Sequence, residues 1–130
     1  MDAGAWIAVS DRRDRYYQAA SAIYARLIHE RTNLITTNLV IAEAYVLIRR
    51  TGGHTPAMRF LDSLRGSPRL ARIYSDARLE SLAETILDKH EDQDFSLADA
   101  VSFVVMQERE IRQAFTFDSH FATMGFQKLP

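Results

Sequence analysis

Three short apolar segments, NLIT (Asn33–Thr36), LARIY (Leu70–Tyr74) and AFTF (Ala114–Phe117), alternate with much longer runs whose apolar residues recur three and four apart. This alternation is the strongest constraint on the fold. Apolar pieces of four or five residues are too short for helices and read as strands, whereas three-and-four spacing gives one apolar helix face. Short strands joined by helices imply crossover connections, hence a parallel sheet covered on both faces. The expected class is an α/β layered domain, and with no linker-like, repetitive or low-complexity tract the chain reads as one domain over residues 1–130.

The helical runs carry their own punctuation. Asp11–Glu30 holds Tyr16, Ala19, Ala20, Ile23, Tyr24, Leu27 and Ile28 on one face and is expected to be a single long helix. Thr37 and Asn38 are capping residues ahead of LVIAEAYVLIRR, which Gly52 and Gly53 terminate after Arg49 and Arg50, cations favoured at a helix C-terminus. Pro56 opens a helix that runs through Phe60 and Leu64 to Gly66. Asp76 caps another, with Leu79, Leu82, Ala83, Ile86 and Leu87, ending near His90. Ser96 and Asp99 form a capping-box pattern before Val101, Val104 and Val105.

Composition narrows the function. The chain has no cysteine, which removes thiol nucleophiles and cysteine-bound zinc and suits a reducing, cytoplasmic setting. No apolar run approaches the roughly 20 residues of a membrane span, and no basic segment precedes a long apolar stretch near Met1, so neither a membrane association nor export is expected. A net charge of −1 gives no global attraction to nucleic acid. Any such binding must come from local arginines or from metal ions.

In parallel α/β sheets, ligands collect at the carboxyl ends of the strands, and carboxylates occupy those positions here. Asp118 directly follows AFTF; Glu43 lies about two turns into the helix after NLIT; Asp99 sits in the first turn of its own helix; Asp2 opens DAGAW. Asp99 is the most conspicuous, an acid at the head of the apolar run FSLADAVSFVVM, where an unpartnered charge would be costly. Four carboxylates converging from separate elements supply the oxygen ligands that Mg²⁺ and Mn²⁺ prefer.

The segments that carry these acids, DAGAWIA (Asp2–Ala8), TTNLVIAEAYVLI (Thr36–Ile48), DQDFSLADAVSFVVM (Asp92–Met106) and TFDSHF (Thr116–Phe121), resemble those of the PIN-domain nucleases. The similarity is greatest to the short bacterial type that forms the toxin of VapBC toxin–antitoxin pairs. It implies a three-layer PIN fold with a central parallel sheet flanked by helices. It further implies an acidic pocket for one or two Mg²⁺ or Mn²⁺ ions, with Asp2, Glu43, Asp99 and Asp118 as catalytic and metal-binding residues. The implied activity is phosphodiester hydrolysis of RNA, and the implied partners are the RNA substrate, a cognate antitoxin and a second copy in a homodimer. Asp2, Asp99 and Asp118 would ligate the metal, with Glu43 serving a second ion or the metal's solvent shell.

The chain departs from the family pattern in two places. Family members place a short apolar strand before the first acid, whereas Asp2 here follows Met1, so the first strand is expected to be short or missing. Ala3 and Gly4 stand where the family often carries Thr-Ser hydroxyls. A non-catalytic RNA- or antitoxin-binding module with an impaired metal site is therefore the alternative, and a DNA-directed nuclease would use the same carboxylates.

Other residues have two readings each. Asp92 and Asp94 are either near the pocket or part of a polar loop, and Ser96 and Thr37 are most simply helix caps. Ser119 is a loop hydroxyl or a pocket residue. His29, His54, His90 and His120 show no zinc-ligand spacing, and His120 is expected to support its loop. Arg12, Arg13 and Arg15 are expected beside Asp2, with Arg49 and Arg50 as a second phosphate-binding candidate. Trp6, Phe103 and Phe117 read as core, and Tyr16, Tyr24 and Tyr45 as candidates for a dimer or antitoxin surface.

Overall fold

The computed structural model describes all residues from Met1 to Pro130. Its elements in order are α1 (Ala3–Ser10), α2 (Tyr17–His29), β1 (Leu34–Thr37), α3 (Asn38–Gly52), α4 (His54–Arg65), β2 (Leu70–Ile73), α5 (Ala77–Lys89), α6 (Leu97–Glu108), β3 (Gln113–Phe115), α7 (His120–Thr123) and β4 (Gln127–Leu129). All strand pairing is parallel, β1 with β2 and β3 with β4. No helix is long and apolar enough to cross a membrane.

Successive strand residues point to opposite faces, and this builds the layers. Leu34 and Leu70 pack with α1 and α2 through Ala5, Ala8, Ala20 and Leu27. Ile35 and Ile73 face the other way, onto Leu79, Ala83, Val101 and Val105 of α5 and α6. A third cluster joins Trp6 of α1 to Val40, Ile41, Ala44 and Ile48 of α3 and to Phe60 and Leu64 of α4.

The central sheet is divided into two halves. Between β1 and β3 there is no strand, only the backbone of Met1 and Asp2: the Met1 amino group donates to the Ile35 carbonyl at 2.9 Å and the Asp2 N–H to the Phe115 carbonyl at 3.2 Å. Beside this bridge lies a cavity of about 260 Å³ whose lining includes Met1, Ile35, Val105, Met106, Phe115 and Leu129. The backbone of Met1 and Asp2 thus ties both half-sheets to the start of α1.

Two segments depart from expectation. Residues 11–16 turn rather than starting a long helix, because the Asp11 and Asp14 carboxylates accept the N–H groups of Arg13 and Tyr16 at 2.9 and 2.7 Å. Such local bonds offer the backbone an alternative to the helix ladder. Helix α1 was not signalled by periodicity, since Ala3, Ala5, Trp6 and Ala8 are buried around most of its circumference. Helix α7 and strand β4 are further short additions after Asp118.

The candidate surface tyrosines are engaged internally. Tyr16 stacks on Phe117 at 4.3 Å, Tyr24 sits edge-on to Trp6 at 6.1 Å, and Tyr45 packs against the α1–α3–α4 cluster. Trp6 and Phe103 are buried in the core as expected, and Phe117 is half-buried beneath Tyr16.

Candidate active site

Asp2 is the N-cap of α1, and the cap geometry fixes its carboxylate completely. Oδ1 accepts the Ala5 N–H at 2.7 Å and Oδ2 accepts the Thr116 hydroxyl at 2.5 Å. The same Thr116 oxygen accepts the Asp118 N–H at 2.9 Å, so one buried hydroxyl at the end of β3 joins the first acid to the fourth. A second threonine works on the β1 side: Thr36 donates to the Met1 carbonyl and accepts from the Trp6 indole, at 3.1 and 3.2 Å. Neither Thr36 nor Thr116 was singled out as functional in the sequence. The usable signal was a hydroxyl at the carboxyl end of a strand beside an acid.

Asp99 occupies the third position of α6, and the capping box forms in full. Ser96 Oγ accepts the Asp99 N–H at 3.0 Å and Asp99 Oδ2 accepts the Ser96 N–H at 3.1 Å. Thr37 likewise caps α3 through Val40, at 3.2 Å. Asp118 turns the chain after β3 by accepting the His120 N–H at 2.9 Å on Oδ1. Its Oδ2 and the Asp99 Oδ2 each lie 3.3 Å from His120 Nδ1. One donor atom from each of Asp99, Asp118 and His120 thus falls within 4.8 Å of the other two. His120, expected only to support its loop, stands inside the cluster instead. The signal lay in the two-residue spacing DSH, which an Asx turn folds back onto the carboxylate.

Glu43 stands at the rim. It is exposed, because the buried positions of α3 are Val40, Ile41, Ala44 and Ile48 and Ala42 is itself exposed. It still shares the pocket's field: partial burial, then the charges of Asp99, Asp2 and Asp118, raise its carboxyl above the ordinary range. Burial also pushes the Asp2 carboxyl up, against the lowering effect of its Thr116 and Ala5 hydrogen bonds, and Asp99 adds to the rise. The four acids are therefore electrostatically one group, although only Asp99 and Asp118 lie in the tight cluster. The carboxylate oxygens with one imidazole nitrogen suit a divalent cation, which would relieve the charge repulsion that adds to burial in raising these values.

A model of the PIN domain matches residues 1–127. The chain belongs to the PIN-domain family. Two strains of Mycobacterium tuberculosis supply relatives of this PIN domain named 23S rRNA-specific endonuclease VapC20, each 29% identical over 126 residues, covering 97% of this chain and 93% of the relative. The crystal structure of Mycobacterium tuberculosis VapC20, described as a Sarcin-Ricin loop cleaving toxin, superposes with a TM-score of 0.85 at 29% identity, covering 96% of this chain and 93% of that one. The PIN fold expected from the four acidic segments is thereby shown, as is the particular likeness to VapC toxins.

The remaining candidates fall outside the acid cluster of this PIN domain. Asp92 accepts from Gln93, Asp94 is exposed, and Ser119 presents its carbonyl to Thr123. His29 and His54 are exposed, and His90 rests against Phe95. Arg12 and Arg13 are carried away from Asp2. Helix α1 carries the chain about 12 Å away before Arg12, and Arg13 pairs there with Asp11 at 2.9 Å and reaches the Thr51 carbonyl at 3.4 Å. Arg13 thus lies near the end of α3, where Arg49 and Arg50 are exposed, whereas the Arg15 guanidinium sits over the Tyr16 ring at 4.4 Å, and Tyr16 stacks on Phe117 next to Asp118.

Proposed function

We propose that this PIN domain is a metal-dependent endoribonuclease of the VapC toxin type, hydrolysing RNA phosphodiester bonds at the Asp2–Glu43–Asp99–Asp118 pocket with bound Mg²⁺ or Mn²⁺. The observation that carries the reading is the convergence of Asp99, Asp118 and His120 donor atoms within 4.8 Å, at the carboxyl end of β3 and within the field of Asp2 and Glu43. The likeness to an rRNA-specific endonuclease over almost the whole chain supports RNA as the substrate class. A cognate antitoxin and a homodimer belong to the same proposal, on the resemblance to VapC toxins, and a cytoplasmic location fits the absence of cysteine.

When bound, a divalent cation supplies charge neutralisation for the phosphodiester and activation of water. The protein's own part is positioning. Asp99 and Asp118 are held by helix and turn hydrogen bonds that leave lone pairs free on the pocket side, and both would ligate the cation. Asp2, locked by Ala5 and Thr116, offers its remaining lone pairs as a fixed wall of the site. Glu43, exposed at the rim, would receive the proton released by the attacking water or hold a second cation.

The test is cleavage of RNA and of single-stranded DNA of the same sequence, with Mn²⁺, with Mg²⁺ and with chelator. RNA cleavage is expected only with metal and should fall about a hundredfold or more in Asp99→Asn, given the several kcal/mol that metal-ion electrostatics contributes. Unchanged cleavage in that variant ends the assignment. RNA binding without cleavage under any condition supports the non-catalytic module instead.

A further inference from the structure

We propose that His120 is itself a metal ligand, through Nδ1, so that the site is a two-carboxylate, one-imidazole centre selective for Mn²⁺ over Mg²⁺. The inference rests on the metal-dependent reading above and specifies which atoms of this chain do the binding.

The geometry is that of a ligand set. Nδ1 lies 3.3 Å from both Asp99 Oδ2 and Asp118 Oδ2. An ion pair made for its own sake would bring a charge-assisted N–H to one oxygen at about 2.7–2.9 Å; a single N–H cannot point well at two oxygens at once. Two equal, long separations instead resemble one corner of an octahedron, where donor atoms each roughly 2.1 Å from a small divalent ion stand about 3 Å apart.

The ring is also held for the purpose. Its backbone N–H is tied to Asp118 Oδ1 at 2.9 Å, the Phe95 ring meets its face or edge at 5.1 Å in a T-shaped contact, and its side chain is 23% exposed. His120 opens α7, whose next residue, Phe121, is buried against Phe103 at 5.0 Å. The imidazole is thus anchored through its backbone, its neighbour and its own ring, and Nδ1 is the nitrogen turned to the acids. Ligation through Nδ1 places the ring proton on Nε2. Imidazole nitrogen is a poor partner for Mg²⁺ and a good one for first-row transition ions, so this third donor shifts preference toward Mn²⁺.

The experiment uses the full chain loaded with Mn²⁺. Pulsed EPR should show ¹⁴N modulation from a directly coordinated imidazole, replaced by a ¹⁵N pattern when histidine alone is ¹⁵N-labelled, a comparison that needs no mutation. In His120→Gln the nitrogen coupling should vanish, and calorimetry should show Mn²⁺ affinity falling about tenfold or more while Mg²⁺ affinity changes less than about threefold, because Mg²⁺ bonds chiefly to oxygen. Bound Mn²⁺ with no nitrogen coupling overturns the ligand assignment and leaves the carboxylate-metal reading standing. Failure to take up Mn²⁺ at millimolar concentration overturns both.

Discussion

The pocket has two corners built on opposite plans. At Asp2 both carboxylate oxygens are bonded to the protein, the residue is 8% exposed, and its partner Thr116 is fully buried. At Asp118 the side chain is 40% exposed, and one of its oxygens shares a histidine nitrogen with Asp99. The first corner is determined by the fold whether or not anything binds; the second keeps its capacity for a ligand. A pocket of like charges can be held open this way, with one acid as fixed framework and others free to bind.

Two substitutions separate the corners. Asp118→Asn should reduce metal-dependent RNA cleavage about a hundredfold or more while shifting the denaturation midpoint little, because the side chain is partly solvated and Asn still offers an oxygen to the His120 N–H. Thr116→Val keeps the shape but removes the hydroxyl that serves Asp2 and the Asp118 N–H together. With buried groups left unpartnered it should destabilise the fold by about 2–3 kcal/mol in urea denaturation. If Asp118→Asn proves as destabilising as Thr116→Val, the distinction between the corners is wrong.

The difference between corners also governs what the sequence could disclose. Asp99 and Asp118 stood at a capping box and directly after a strand-like segment, local patterns with local physics, and the structure builds both as read. The alternation of strands and helices was legible for the same reason. What the sequence hid depends on distant contacts. The bond between Thr116 and Asp2 spans 114 residues, and α1 carries no periodic signal because its neighbours bury most sides of it. The exposure of Glu43 is likewise set by packing, since the helix turn that buries Ala44 leaves Ala42 and Glu43 facing out. His120 was missed because a spacing of two from Asp118 matches no zinc motif; only the turn brings it to Asp99.

Metal-free protein should show the Asp2 corner in its pH dependence. The folded Asp2 carboxyl lies above its ordinary value of 3.8, chiefly through burial, and Glu43 follows in the same direction. The folded state therefore holds these protons more tightly than the unfolded chain, so their contribution is fully present below the ordinary carboxylate range. It is lost as pH rises through the elevated folded values. The share of apo stability that these carboxyls carry should decline over that window, by less than the Thr116→Val loss and chiefly through Asp2, since Glu43 is exposed and screened, while the buried Met1 amino group, with its pKa lowered, acts in the opposite direction. Added Mn²⁺ should flatten or reverse the decline, because the cation binds the ionised folded state. Thermal melts from pH 4 upward, with and without Mn²⁺, decide this; a decline identical in both series would place the responsible group outside the pocket.

The smallest effect concerns Gly4, two residues from the acid it helps surround. A methyl group there would lie 3.7 and 3.8 Å from the Asp2 oxygens, ordinary contact distances, and the residue is exposed. Gly4→Ala should therefore stabilise α1 by about 0.5–1 kcal/mol through backbone entropy alone, with RNA cleavage unchanged. Gly4→Ser carries a weaker helix preference but adds a hydroxyl within reach of the carboxylate. If Asp2 is framework, with each oxygen already held by Ala5 or Thr116, the serine should gain no more than the alanine in urea denaturation. A serine gain exceeding the alanine gain, together with a raised Mn²⁺ affinity, would mean that the Asp2 carboxylate still lacks a partner and that its corner is less complete than its two short hydrogen bonds indicate.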